Sequence, residues 1–181
     1  MKTDKTREIF EEARARIERA VQTPLTVVVC GPKSDGPYHL REAVRQSLER
    51  DHVFFLEELV ASSEGQEMTR LLEEQLREQP RLDQIEILLL KGNTIDKDVH
   101  IVEGEGAIAE LVKFAADSDV FKKVYAFVNE RHKNNGSYLD RSVYRQLYKA
   151  QRLYYFKNES DLKSTVKNAL TPNRILKSGI L

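Results

Sequence analysis

Five short apolar runs, separated by segments with helical spacing, constrain the fold of this chain most strongly. In each run the hydrophobic residues are continuous rather than alternating with polar ones, which is typical of strands covered on both faces in a parallel sheet. The runs are Thr26–Cys30, His52–Leu56, Val99–Val102, Lys123–Val128 and Leu153–Phe156. The sequence therefore predicts an α/β fold with five parallel strands.

Helical patterns fill the gaps between these runs, and an amphipathic helix with an inward-facing apolar side precedes the first of them. The predicted helices span Lys5–Val21, Tyr38–Arg50, Glu67–Gln79, Leu82–Leu90, Ala107–Ala116, Tyr144–Gln151 and Ser160–Leu170. With right-handed crossovers, this order predicts a flavodoxin-like, doubly wound five-stranded sheet of strand order 2-1-3-4-5. We expect an N-terminal helix over residues 1–25, the α/β domain over 26–171 and an extended tail over 172–181.

The composition limits the partners and the cellular setting. Lys plus Arg and Asp plus Glu number 29 each, so no net charge attracts nucleic acid or a membrane surface. Because no run approaches the roughly 18 apolar residues of a membrane span and no signal-peptide pattern is present, we expect a cytoplasmic protein without membrane contact. The single cysteine, Cys30, excludes an internal disulfide and is interpreted as a small buried hydrophobe rather than a nucleophile.

The predicted strand order places the loops after the first and third strands side by side. Ligands of open α/β sheets bind at such a switch point, next to helix N termini. The first loop offers flexible backbone, a cation and a hydroxyl through Gly31, Pro32, Lys33 and Ser34. It matches neither a P-loop nor a dinucleotide fingerprint. The position of the loop favours ligand contact, and simple turning of the chain is the alternative.

The segment after the third strand carries three carboxylates around a helix start. Glu103 and Glu105 alternate with Gly104 and Gly106, and Glu110 follows about one turn into the helix. The two glycines are expected to permit positive φ and a close approach of the backbone. Glu110 is either a catalytic group or, more simply, a partner of the helix dipole.

Two further segments border the predicted crevice. Glu57 follows the second strand, and a long polar connection after the fourth strand offers Asn129, Ser137 and Tyr138 as polar contacts. That connection is either a lid over the crevice or a solvated loop. The histidines show no metal-ligand spacing, so we expect no metal and no cofactor.

The motifs at these strand ends resemble a known superfamily. The first strand ends in CGP, the second in FLEE, and the third continues as VHIVEGEGAIAELVKFA. With SYLD at Ser137–Asp140 and the final YYFKNESDLKSTV, they resemble the nucleoside 2-deoxyribosyltransferase-like superfamily. Within it, the likeness is to N-glycosidase-type effectors found beside bacterial retrons and in related phage-defence systems. The resemblance spans roughly Thr26 to Leu170.

The resemblance implies a hydrolase or transferase that acts on the N-glycosidic bond of a nucleoside or nucleotide. It implies that Glu110, in the G-x-x-A-E segment, acts on the anomeric carbon, and that Glu103 or Glu105 orients the sugar or protonates the leaving base. The transferases carry an aspartate near the position of Gly104. Because this chain lacks it, hydrolysis is the milder expectation.

Two other functions stay open at this point. In the first, the same crevice binds a nucleotide in a sensing module without catalysis, and Glu110 bonds to a ribose. In the second, the N-terminal helix and the tyrosine-rich Tyr144–Tyr155 segment form an interaction surface. We expect a homo-oligomer, because deoxyribosyltransferase-like enzymes usually assemble, and the resemblance to retron effectors implies a regulatory protein or RNA partner.

Overall fold

A five-stranded parallel sheet forms the centre of the computed structural model, which describes residues 2–32, 40–133 and 140–180. The strands are β1 (Thr26–Cys30), β2 (His52–Phe55), β3 (Lys97–Val102), β4 (Val124–Asn129) and β5 (Leu153–Phe156). Their order is β2-β1-β3-β4-β5, and each neighbouring pair is parallel. The predicted sheet of order 2-1-3-4-5 is confirmed.

Helices cover both faces of the sheet. They are α1 (Lys2–Ala20), α2 (Leu40–Ser47), α3 (Leu56–Ala61), α4 (Ser63–Leu76), α5 (Leu82–Lys91), α6 (Glu105–Ala115), α7 (Ser118–Phe121), α8 (Arg145–Lys149) and α9 (Glu159–Lys177). A 3-10 turn at Glu130–His132 follows β4, and a π turn at Asp140–Tyr144 leads into α8. In the part of the chain that the structure describes, no helix combines the length and apolar character needed to cross a bilayer.

The strands divide their side chains between two separate cores, as their two-residue period requires. Val29 and Ile101 pack on one face with α2 and α9, whereas Val28 and Val102 pack on the other with α5 and α6. Both faces of the central strands are buried, which explains their continuous apolar runs. β2 lies at the edge of the sheet and is half-exposed.

Helix α1 stands apart from both cores. Its side chains from Lys5 to Arg19 are exposed, including the apolar Ile9, Phe10 and Ile17, whereas Ala20 is buried. The prediction that the apolar side of this helix packs inward is therefore wrong. Among the described residues, α1 meets the domain mainly at α9, so most of its length has no protein surface beside it.

Helical structure begins earlier after β2 than the sequence predicts. A helix was expected only from Glu67, but α3 begins at Leu56 and α4 begins at Ser63. The Ser62 hydroxyl separates the two helices, because it accepts a hydrogen bond from the backbone N–H of Gly65 and caps α4. The early start places Glu57 in the first turn of α3, directly at the sheet edge.

The C-terminal tail is helical rather than extended. We expected an arm beyond Pro172, but α9 continues to Lys177. A proline inside a helix removes a hydrogen bond and costs about 3 kcal/mol. Tertiary contacts offset that cost: the Asn173 amide donates to the Tyr125 hydroxyl at 2.9 Å, and the next residue, Arg174, is held in a buried ion pair.

The buried ion pair between Arg174 and Asp51 is expected to fix α9 against the sheet. Asp51 also accepts a hydrogen bond from the backbone N–H of Leu25 at 2.8 Å. Removing one partner leaves the other charge buried and uncompensated, so Arg174→Met should lower the free energy of unfolding by about 3–5 kcal/mol. Chemical denaturation measures this loss.

The matched control is Arg70→Met, which breaks the exposed pair of Arg70 with Glu74. This change should cost less than about 1 kcal/mol, because exposed ion pairs contribute little. Similar small losses for both variants would contradict the structural role of Arg174.

Candidate active site at the switch point

A cleft opens at the carboxyl edge of the sheet, between the ends of β1 and β2 and the helices α5 and α6. Its volume is about 220 Å³, which is below the roughly 300–1,000 Å³ of pockets for drug-sized ligands and suits a sugar-sized group. The polar side chains at this cleft belong to Arg41, Glu57, Asp83, Glu86 and Glu110. The cleft lies where an α/β sheet of this strand order binds its ligands.

The structure brings three of the residues proposed from the sequence together. Gly31, Glu57 and Glu110 line this one cleft, although they follow three different strands. Pro32 is exposed next to Gly31. The proposed contacts Lys33, Ser34, Ser137 and Tyr138 lie outside the described residues.

The loop after β1 requires glycine at position 31, whereas the loop after β3 does not require it at positions 104 and 106. Gly31 has φ +152°, and a Cβ there would lie 2.9 Å from the Cβ of Ile101. Gly104 is extended, with φ −173°, and a Cβ at Gly104 or Gly106 would meet nothing within 4 Å. The prediction of positive φ and close approach at these two glycines is wrong. The chain leaving β1 passes tightly against β3, whereas the start of α6 has free space.

Glu103 and Asn129 form a separate polar pair at the ends of β3 and β4. The Asn129 amide donates to Glu103 at 2.9 Å, and Arg131 pairs with the second carboxylate oxygen. Neither Glu103 nor Asn129 lines the cleft with Glu110. Glu105 is the first residue of α6.

A buried polar cluster lies beneath Glu110. Cys30 is the register partner of His100 across β1 and β3, and Asp98, two residues earlier, faces the same side of the sheet. Glu86 reaches the same point from α5. The four side chains are buried, and one ligand-type atom of each lies within 4.8 Å of the others.

A thiol, an imidazole and two carboxyl groups are donors that Zn²⁺ accepts in proteins. The Cys30 sulfur, however, lies 2.7 Å from Glu86 Oε1. Two zinc ligands at bond lengths of about 2.0–2.3 Å would lie well over 3 Å apart. The short distance fits a hydrogen bond, so the geometry favours a network that shares protons over a metal centre.

Burial controls the protonation of both groups in this hydrogen bond. Burial, together with the negative charges of Glu86 and Asp98, raises the pKa of the Cys30 thiol well above its usual value. Cys30 is thus buried and protonated, as expected, but it donates a hydrogen bond rather than acting only as a hydrophobe. Burial also raises the pKa of Glu86 to about 8, and the Asp98 carboxylate adds to this effect.

His100 links the cluster to the carboxylate of Glu110. Its Nε2 lies 3.2 Å from the Ala107 carbonyl oxygen and 3.4 Å from Glu110 Oε2, and its Nδ1 lies 3.6 Å from Asp98 Oδ2. Burial alone would lower the pKa of His100, but the adjacent Asp98 carboxylate outweighs this effect and, with the Glu110 charge, raises the pKa to about 9. The imidazole is therefore positively charged at neutral pH.

The side chain of Glu110 is 44% exposed, while that of His100 is fully buried. One carboxylate oxygen thus faces a fixed cation, and the group remains accessible from the cleft. Phe114, one turn later on α6, packs edge-on against the His100 ring with 5.7 Å between centroids. This packing leaves the imidazole little freedom to turn away from Glu110.

Ion pairs brace the walls of the cleft. Lys113 of α6 pairs with Asp83 of α5 at 2.6 Å, which ties the two helices together beside Glu110. On the opposite wall, the Arg41 guanidinium donates two hydrogen bonds of 2.9 Å to Glu57. These contacts hold the cleft at a defined width.

A larger groove of about 520 Å³ lies at the amino edge of the sheet, among the residues that precede β1 and β2. Its central charges, Arg174 and Asp51, are engaged with each other in the buried ion pair. Ligands of open α/β sheets bind at the opposite, carboxyl edge. We therefore place the candidate site in the smaller cleft.

Sequence patterns did not identify Arg41, Glu86, Asp98 or His100 as site residues. A usable signal was present in DVHIV, where Asp98 and His100 stand two apart in a buried strand and so point to the same face. A second signal was Glu86, a lone charge inside the apolar segment IEILLL. Buried polar residues of this kind require partners and so mark a network.

Comparison with known proteins identifies a family for this chain. A profile of the STM3845 retron effector protein matches residues 37–178, which is most of the chain. The chain belongs to this retron effector family. The matched segment runs from α2 to α9 and includes Glu86, His100 and Glu110. No curated protein is significantly similar to the chain.

Membership of a retron effector family indicates a role in phage defence, exercised together with other retron components. The expected likeness to retron effectors is confirmed at this level. The four residues of the buried cluster come from β1, β3 and α5.

The buried network predicts an unusual dependence of stability on pH. The folded state raises the pKa of Glu86 from 4.5 to about 8 and that of His100 from 6.5 to about 9. Both groups bind protons more tightly when folded, so their stabilising contribution is present at low pH and is lost as pH rises. The free energy of unfolding should therefore fall between about pH 5 and pH 9.

Glu86→Gln removes one of these two titrations and should make the decline shallower. Denaturation at several pH values measures the slope, with Glu73→Gln, an exposed residue of α4, as the control. A slope unchanged from that of Glu73→Gln would show that Glu86 is ionised in the folded protein, against this account.

Proposed function

We propose that this retron effector cleaves the N-glycosidic bond of a nucleoside or nucleotide, with Glu110 acting on the anomeric carbon. The observation that carries the proposal is the setting of Glu110. Its carboxylate is accessible from the cleft, while buried His100 holds it from behind at 3.4 Å. A carboxylate fixed in this way is oriented before a substrate arrives.

The chemistry of the N-glycosidic bond matches such a group. Cleavage passes through an oxocarbenium-like state, in which positive charge develops on the sugar. A carboxylate next to the anomeric carbon stabilises that charge or attacks the carbon and forms a covalent intermediate. His100 is fully buried and does not line the cleft, so it orients the carboxylate and does not compete for the sugar.

The resemblance to deoxyribosyltransferase-like N-glycosidases supports the same assignment of Glu110. Gly31 and Glu57 are proposed to contact the substrate from the opposite side of the cleft, and Arg41 offers a cation there. Release of bases from nucleotides would deprive a replicating phage of precursors, which suits an effector of phage defence. The proposed contacts Glu103, Glu105, Gly104, Gly106 and Asn129 remain predictions, since no contact in the cleft supports them.

Base release from a panel of nucleosides, nucleotides and NAD, followed by chromatography, tests the proposal. The wild-type protein should release free base from at least one of them. Glu110→Gln keeps the shape of the side chain but removes its charge, and should reduce the rate by at least about 100-fold. The variant should unfold at nearly the wild-type temperature, because Glu110 is half-exposed.

Glu73→Gln serves again as the matched control and should keep full activity. Unchanged turnover by Glu110→Gln would reject the role of Glu110. Calorimetric binding of a nucleotide without base release from any compound would instead identify a nucleotide-sensing module.

The homo-oligomer and the regulatory protein or RNA partner remain predictions. The exposed apolar side chains Ile9, Phe10 and Ile17 of α1 supply a surface that suits such a contact. Helices in proteins gain most of their stability from packing of an apolar face rather than from the isolated helix. A second copy or another retron component would stabilise α1 by covering this side.

A further inference from the structure

Cleavage of a neutral nucleoside requires an acid as well as a carboxylate. A purine leaves the anomeric carbon as a poor, negatively charged group unless a ring nitrogen receives a proton. The sequence offered Glu103 or Glu105 for this step, but Glu103 is engaged by Asn129 and Arg131 and does not line the cleft. A carboxyl group that lines the cleft beside Glu110 is a better-supported candidate for this step.

The carboxyl groups of the cleft differ in their hydrogen-bond partners. Glu57 accepts two hydrogen bonds from Arg41, and Asp83 accepts one from Lys113. A carboxyl group paired with a cation stays ionised and has no proton to give. These two groups therefore brace the walls and do not act as acids.

Glu86 has a different environment. In the described part of the chain its hydrogen-bond partner is the Cys30 thiol, and no Lys or Arg donates to it. Its side chain is almost fully buried, yet it borders the cleft that Glu110 also lines. Burial favours the neutral form of such a carboxyl group, and the nearby His100 cation opposes this effect without reversing it.

We propose that Glu86 is the catalytic acid that protonates the departing base, so that this cleft acts on nucleosides or nucleotides whose base carries no charge. The inference rests on the proposed function and adds the second of the two groups that glycosidic cleavage uses. Two carboxyl groups in different protonation states, at one cleft, are the arrangement that such cleavage requires.

The protonation of Glu86 agrees with this role. Burial, together with the Asp98 charge, raises its pKa to about 8, although the His100 cation and the Cys30 hydrogen bond act in the opposite direction. A general acid is most effective when its pKa lies near the working pH. Glu110, half-exposed and next to the cationic His100, has the opposite environment and supplies the negative charge.

The proposed reaction is a hydrolysis of the N-glycosidic bond. The bond between the anomeric carbon and the base nitrogen breaks, its electron pair goes to the base, and the Glu86 proton moves to a base ring nitrogen. Glu110 stabilises or attacks the anomeric carbon. Water then adds to that carbon and returns a proton to Glu86, so the sum is nucleoside plus water giving sugar plus base.

A pair of substrates that differ only in the need for this proton tests the role of Glu86. Guanosine needs protonation before its base leaves, whereas 7-methylguanosine carries a positive charge at about pH 6 and releases a neutral base without an acid. The same comparison uses their 5′-phosphates and, as a second cationic substrate, NAD. Rates are measured by chromatography with the full-length protein.

Glu86→Gln should slow base release from the neutral substrates by about 10²–10⁴-fold and change release from the cationic substrates by only a few-fold. Activity on the cationic substrates also shows that the variant is folded. Glu110→Gln should slow both classes, because the oxocarbenium-like charge develops in either case.

An equal loss on both classes would show that Glu86 has a structural role only, and no loss on either would exclude it as the acid. Wild-type activity confined to cationic substrates would also overturn the proposal. If Glu86→Gln does not fold, the wild-type pH profile decides: release from neutral substrates should fall above about pH 8, and release from NAD should not. No base release by wild type from any substrate would instead refute the proposed function itself.

Discussion

The buried contact between His100 and Asp98 is the interaction on which the candidate site depends. Because both side chains are fully buried, their charges are stable only together. The contact keeps a cation on the central strand, directly below the helix that carries Glu110. Without it, Glu110 would be an ordinary half-exposed glutamate near a helix start.

The topology of the sheet explains how this interaction arises. Parallel pairing of β1 with β3 sets Cys30 beside His100, and the two-residue strand period adds Asp98 on the same face. The helices α5 and α6 cover that face and contribute Glu86 and Glu110. The crevice at the switch point thus has two carboxyl groups of different character, one accessible and one buried, which is the chemical basis of the proposed reaction.

The sequence was a good guide to the sheet and a partial guide to the site. Continuous apolar runs located β1 and β5 to the residue, because the side chains of both strands pack against the cores on the two faces of the sheet. The site was predicted less completely, since its residues come from separate elements and meet only through strand pairing. Tertiary contacts also override local signals: Arg174 and its neighbours keep α9 helical past Pro172, and the close approach of β3 moves the need for glycine to Gly31.

The central claim is that His100 is positively charged beneath Glu110, and nitrogen NMR of the histidine side chains tests it most directly. The chain has only four histidines, so substitution identifies each signal. The account predicts that both ring nitrogens of His100 are protonated at neutral pH, with a pKa of about 9. Asp98→Asn should lower this value. A neutral imidazole at neutral pH in the folded wild-type protein would contradict the account.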